Sequence, residues 1–226
     1  MPARPRRIVI FDFDGTLSTS DANNAFWHYC FRHSVRPWLF LPIVAVGFVV
    51  MFIARGLLKL RMVTNISPIA ILWREMIRLF YTPALVARLA PGFIAAFKLN
   101  RFGWAADQVA KERAAGSLVI LSSAGMEYLI KPLVSDMDFD FIITSNTASA
   151  HPWKILFFNY GANKIETLNA LLNLEFGADL QTDGGFRIVR SYSDNRSDAP
   201  VMSCAREEVW IDPKTGAVRK VVKSIQ

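Results

Sequence analysis

Asp12 and Asp14 stand two residues apart, where the apolar run Ile8-Val9-Ile10-Phe11 gives way to Gly15-Thr16. In an extended chain the side chains at i and i+2 share a face. Two acids on one face repel, and a bound divalent cation is the usual compensation. The pair suits metal-assisted phosphoryl transfer, Asp12 acting as nucleophile and Asp14 as acid/base. A plain strand-to-turn passage built from Asp and Gly produces the same string, so the reading rests on what accompanies it. Ser122 follows an apolar run and can donate its hydroxyl to a phosphoryl oxygen. Lys164, in Gly161-Ala162-Asn163-Lys164, can offset charge on phosphate and nucleophile, with Lys154 as the competing candidate. Asp194 and Asp198 form a second acidic pair. With Asp12 they can hold Mg²⁺ through oxygen ligands.

The elements that must position these groups follow from hydrophobic patterning. Strands are expected over 7–11, 117–121, 139–144, 186–191 and 208–211. Helices are expected over 21–33, 104–114, 126–135, 164–174 and 197–206, with Gly116 ending the second. Residues 145–160 read as a hairpin or loop around His151-Pro152. Strands alternating with helices imply a parallel α/β sheet. Such sheets carry their sites at the carboxyl ends of the strands, where Asp12, Ser122 and Asp194 all fall.

Between the first acids and Ser122 lies a segment of different character. Residues 37–54 carry no charge, with Arg32, His33 and Arg36 before them and Arg55, Lys59 and Arg61 after. Eighteen uncharged residues reach the lower edge of a membrane span. One complete crossing would separate Asp12 from the other candidate residues. The run therefore dips in and returns, lies in the interface, or pairs with 62–73 as a helical hairpin. Residues 73–98 have helical periodicity broken at Pro83 and Pro91, as an amphipathic surface pair or as ordinary cap helices. Composition agrees with membrane contact: the 226 residues are 52% hydrophobic, mean hydropathy is +0.25 and net charge is +7. A basic balance suits anionic membranes and phosphorylated substrates. No nucleic-acid-binding signature is present in the sequence. Cys30 and Cys204 lack metal-ligand spacing and read as free thiols of a reducing compartment. The apolar stretch near the basic N-terminus is too short for a signal peptide, which places that part in the cytosol.

Asp12-Phe13-Asp14-Gly15-Thr16, Ser122, Lys164 and Asp194…Asp198 together resemble the four motifs of the haloacid dehalogenase-like phosphatases, over nearly the whole chain. The resemblance implies a Rossmann-like parallel-sheet core from 1–17 and 100–226. A helical, partly membrane-embedded cap over 18–99 marks the phosphoserine-phosphatase-like branch. It also implies an Mg²⁺-dependent phosphomonoesterase working through an aspartyl-phosphate. In that scheme Asp12 is nucleophile and metal ligand. Asp14 is acid/base and offers its backbone carbonyl to the metal. Ser122 and Lys164 contact phosphate, Asp194 binds the metal, and Asp198 supports it. Within the branch, Phe26-Trp27-His28-Tyr29, the apolar insert and Tyr192-Ser193-Asp194-Asn195-Arg196-Ser197-Asp198 look like the phosphatidylglycerophosphatase C family. That implies a bacterial inner-membrane enzyme with its site on the cytoplasmic side and an anionic phospholipid substrate. Arg32, His33, Arg36 and Arg55 are then headgroup or surface-anchoring candidates. Segment 145–160 departs from the family pattern, which keeps Lys154 in contention. Two alternatives stay open: a membrane-tethered phosphatase for a small ester such as phosphoserine, and a non-catalytic membrane protein on the same fold.

Overall fold

The first strand, β1 (Arg6–Phe11), forms because Ile8, Val9, Ile10 and Phe11 are apolar on both faces, and all four are buried. A computed structural model describes residues 6–34, 38, 41–59, 82–148, 151–180 and 185–224. The strands β2 (Leu118–Met126), β3 (Phe141–Ala148), β4 (His151–Phe157), β5 (Phe186–Ser193), β6 (Glu207–Ile211) and β7 (Val218–Lys223) complete a sheet with β1. Its order is β4-β3-β2-β1-β5-β6-β7. The pairs of β1 with β2 and β5, of β2 with β3, and of β5 with β6 are parallel, and β7 runs antiparallel to β6.

The helices are α1 (Ala22–His33), α2 (Leu41–Lys59), α3 (Pro83–Phe97), α4 (Ala105–Ala114), α5 (Glu127–Leu133), α6 (Asn163–Phe176) and α7 (Ala199–Ser203). Alternate residues of the strands serve opposite faces. Ile8, Ile10, Ile120 and Ile188 pack with Leu168 and Leu172 of α6 and Val201 of α7. Helix α6 ends on Gly177, whose φ of 65° supplies the left-handed C-cap.

By compactness the chain divides into Met1–Ala25, Ile94–Asn146 and Phe157–Gln226 as one unit, and Phe26–Phe93 with Thr147–Leu156 as another. The second unit has its own apolar centre. Phe26 and Tyr29 of α1 meet Phe93 of α3, ring centroids 5.0 and 5.7 Å apart. Cys30, Leu85, Val86, Leu89 and Ala90 are buried with them. Its α2 is different: Val46, Phe48, Val49, Val50, Phe52 and Ile53 are all exposed.

Several expected elements move. Strand β2 runs past the apolar residues to Met126, so Ser122 lies within the strand. The expected helix over 197–206 is a 3₁₀ turn, Arg196–Asp198, followed by the short α7. Strand β7 was not expected at all. No helix among the described residues is long and apolar enough to cross a membrane. The segment 62–73 lies outside the described residues.

Candidate active site

Asp12 is the first residue beyond β1, and its N–H donates to the Tyr192 carbonyl of β5 at 3.0 Å. That bond holds the ends of the two central strands together and sets Asp12 beside Asp194, the first residue beyond β5. Between them stands Thr16, fully buried. Its hydroxyl accepts from the Asp194 N–H at 3.1 Å and lies 3.4 Å from both Asp12 Oδ2 and Asp194 Oδ1. Gly15 makes the approach possible. Its φ of 76° suits glycine, and a Cβ there would sit 2.4 Å from Asp194 Oδ2.

Lys164 enters from the first turn of α6, 2% exposed. Its ammonium donates to Asp12 Oδ1 and to Asp198 Oδ2, both at 2.8 Å. Ser193 Oγ donates to the same Asp198 oxygen at 2.8 Å. A lone buried ammonium would be very costly, and two carboxylates compensate it. Burial alone would pull the Lys164 pKa down, but Asp12 and Asp198 more than offset it and hold it above 10.5. Burial pushes Asp12 up to about 6, with Lys164 opposing and Asp198 and Asp194 adding to the rise. Asp194 is raised too, chiefly by burial.

Asp14 is engaged at the start of the next helix. Its Oδ1 accepts the Ala22 N–H at the start of α1, at 2.7 Å. Burial, then Asp21, then Asp12 raise its pKa well above the usual carboxylate range.

Ser122 is buried in β2, opposite Ile143 of β3. Its oxygen accepts the Asn159 amide at 3.1 Å. Asn159 was not singled out in the sequence, and neither were Thr16 nor Ser193 as site residues. A polar side chain that packs against functional groups carries no spacing signal of its own. Of the remaining candidates, Arg32 and His33 are exposed in the last turn of α1, where cations favour the helix dipole. The His33 ring nitrogen lies 2.9 Å from the Tyr29 carbonyl. Arg36 and the side chains of Arg55 and Lys154 lie outside the described residues.

The donor set fits Mg²⁺. Lys164 occupies Asp12 Oδ1 and Asp198, which leaves Asp12 Oδ2 and the Asp194 carboxylate facing Thr16. Mg²⁺ is commonly held by one or two carboxylates, with waters and substrate phosphate completing the shell. Among the described residues there is no cluster of three or more His, Cys, Asp or Glu side chains that would make an all-protein cage.

No curated protein sequence matches the chain. Among solved structures it is similar to a protein of unknown function from Bordetella pertussis Tohama I, with a TM-score of 0.72 and 18% identity over 94% of this chain and 92% of that one. It is similar to a phospho-aspartyl intermediate analogue of phosphoserine phosphatase, with a TM-score of 0.54 and 13% identity over 92% and 87%. Phosphoserine phosphatase in its apo form gives 0.55 and 14% over 94% and 91%. At these identities the likeness is one of fold. Residues 9–203, from β1 through α7, match the description of haloacid dehalogenase-like hydrolases, and the chain belongs to that family.

Proposed function

We propose that the protein is an Mg²⁺-dependent phosphatase that hydrolyses the terminal phosphate of phosphatidylglycerophosphate, leaving phosphatidylglycerol, at the cytoplasmic face of a bacterial inner membrane. The observation that carries the phosphatase reading is the buried Asp12–Lys164–Asp198 bridge, which leaves the second Asp12 oxygen unbridged by Lys164, beside Thr16 and Asp194. An oxygen of the Asp12 carboxylate attacks phosphorus. The ester P–O bond breaks, and its electron pair goes to the leaving alcohol oxygen, which takes the Asp14 proton. Water then gives a proton back to Asp14 and attacks the aspartyl-phosphate, releasing inorganic phosphate and restoring the Asp12 carboxylate. Lys164 offsets negative charge throughout, and the Ser122 hydroxyl donates to a phosphoryl oxygen. Asp12, Asp194 and the Asp14 backbone carbonyl would hold Mg²⁺, which would supply charge neutralisation at the phosphoryl oxygens.

Support for a lipid substrate comes from the second unit. Helix α2 presents apolar side chains to its surroundings, Phe52 being 81% exposed. Large exposed apolar patches on a protein mark an interaction or membrane site. Ahead of it, Trp38 is exposed, and its indole N–H donates to the Phe31 carbonyl at 2.8 Å. Tryptophan with one wet and one apolar end is characteristic of the bilayer interface. One complete crossing would separate Asp12 from the other acids, so we place the apolar segment in the interface or re-entrant. The likeness to phosphoserine phosphatase structures favours a second reading, a small ester such as phosphoserine.

Phosphate release from a panel of lipid phosphates and small esters, with and without Mg²⁺, separates the two. Preference for phosphatidylglycerophosphate, lost on removing Mg²⁺, is expected. Preference for phosphoserine would remove the lipid assignment.

A further inference from the structure

Asn159 lies between β4 and α6 and is fully buried. Its backbone N–H donates to Ser145 Oγ at 3.0 Å, and Ser145 Oγ donates to the Ala124 carbonyl at 2.8 Å. The residue is thereby tied to both β2 and β3. Its side-chain nitrogen faces three oxygens: Ser122 Oγ at 3.1 Å, the Ser123 carbonyl at 3.1 Å and the Ile143 carbonyl at 3.4 Å. The two carbonyls can only accept, so turning the amide over would set oxygen against oxygen. The orientation is fixed. An amide N–H can only donate, so Ser122 Oγ must accept from it. Among the described residues the Ser122 hydroxyl proton has no acceptor of its own, and it is left for a group that arrives.

Among the described residues, the buried amide carbonyl of Asn159 has no hydrogen-bond partner. Such an orphan is costly and calls for an explanation beyond packing. We propose that Asn159 is a positioning residue: it fixes the Ser122 oxygen as an acceptor, so that the hydroxyl proton is aimed at a phosphoryl oxygen. This rests on the phosphatase reading above. Asn159 never touches the substrate and acts only through Ser122.

A double-mutant cycle tests it, using the ester on which the wild-type protein is most active and orthovanadate as inhibitor. Ser122→Ala should lower kcat/KM by on the order of 10²-fold, as loss of one donor to a developing oxyanion does. Asn159→Ala should lower it nearly as far and weaken vanadate inhibition in parallel. In the Ser122→Ala background, Asn159→Ala should then cost less than about threefold, because residues acting as one unit are not additive. Losses that multiply would overturn the proposal. If Asn159→Ala melts below the assay temperature, Asn159→Asp replaces it. That variant keeps the shape but puts an acceptor against Ser122. Wild-type kcat/KM in Asn159→Asp would also overturn the proposal. A wild-type protein that releases no phosphate from any ester removes the phosphatase reading, and this inference with it. Activity with multiplying losses removes this inference alone.

Discussion

Asp12 must be ionised to attack phosphorus or bind a cation, yet burial lifts its pKa to about 6. In the metal-free protein the folded state therefore binds more protons than the unfolded state between about pH 4 and pH 6. Stability from this group is present below that window and is lost as pH rises through it. A cation competes with the proton, so Mg²⁺ should raise the melting temperature more at pH 7.5 than at pH 5. Equal shifts at the two pH values, read by calorimetry, would detach Asp12 from the metal. Lys164 gives the complementary case. Removing one partner of a buried ion network strands the others, at about 3–5 kcal/mol. Lys164→Ala should lose stability of that order in urea unfolding, and Asp198→Asn in the same background should recover part of it. The acids and Lys164 were legible because four short motifs stand in order along the chain. Thr16, Ser193 and Asn159 were not, because a buried hydroxyl or amide reveals its role only through what it touches.

The elements explain why the cluster converges. Residues far apart in sequence meet because β1 lies between β2 and β5 and parallel strands end on the same side. The turn after β1 is the tightest point. Gly15→Ala adds a Cβ 2.4 Å from Asp194 Oδ2 at a backbone angle that disfavours side chains. The variant should remain folded by circular dichroism, lose about 1–2 kcal/mol and lose most Mg²⁺-dependent phosphate release. Full activity would show that Asp194 is free to move aside. The central strands could be read because β1 is apolar on both faces. The apolar pattern stops at Leu121, but β2 continues to Met126, its Ser123 and Ala124 carbonyls accepting from Asn159 and Ser145. Strand β7 lacks an apolar signal for the opposite reason. Val218-Arg219-Lys220-Val221-Val222-Lys223 is an edge strand, mostly exposed, and its charges give it the look of a polar tail. The turn before it is nonetheless sharp, with Gly216 at φ 71°.

At the scale of the whole molecule, two surfaces of unlike chemistry need a common purpose. One unit holds a buried, charged cluster; the other exposes the apolar side of α2. A net charge of +7 favours an anionic bilayer. Each large apolar side chain withdrawn from water contributes about 1.5–3 kcal/mol. Phe48→Asp with Phe52→Asp should therefore weaken binding to phosphatidylglycerol vesicles by at least about tenfold, while turnover of a water-soluble ester is unchanged. Unaltered vesicle binding would take α2 out of the membrane account. All of this presupposes a nucleophilic Asp12. Acid-quenching the protein during turnover of a ³²P-labelled ester, then mapping the label, tests that most directly. The account predicts a hydroxylamine-labile phosphoryl group on Asp12, absent in Asp12→Asn. Label on another residue, or undiminished label and turnover in Asp12→Asn, would contradict it.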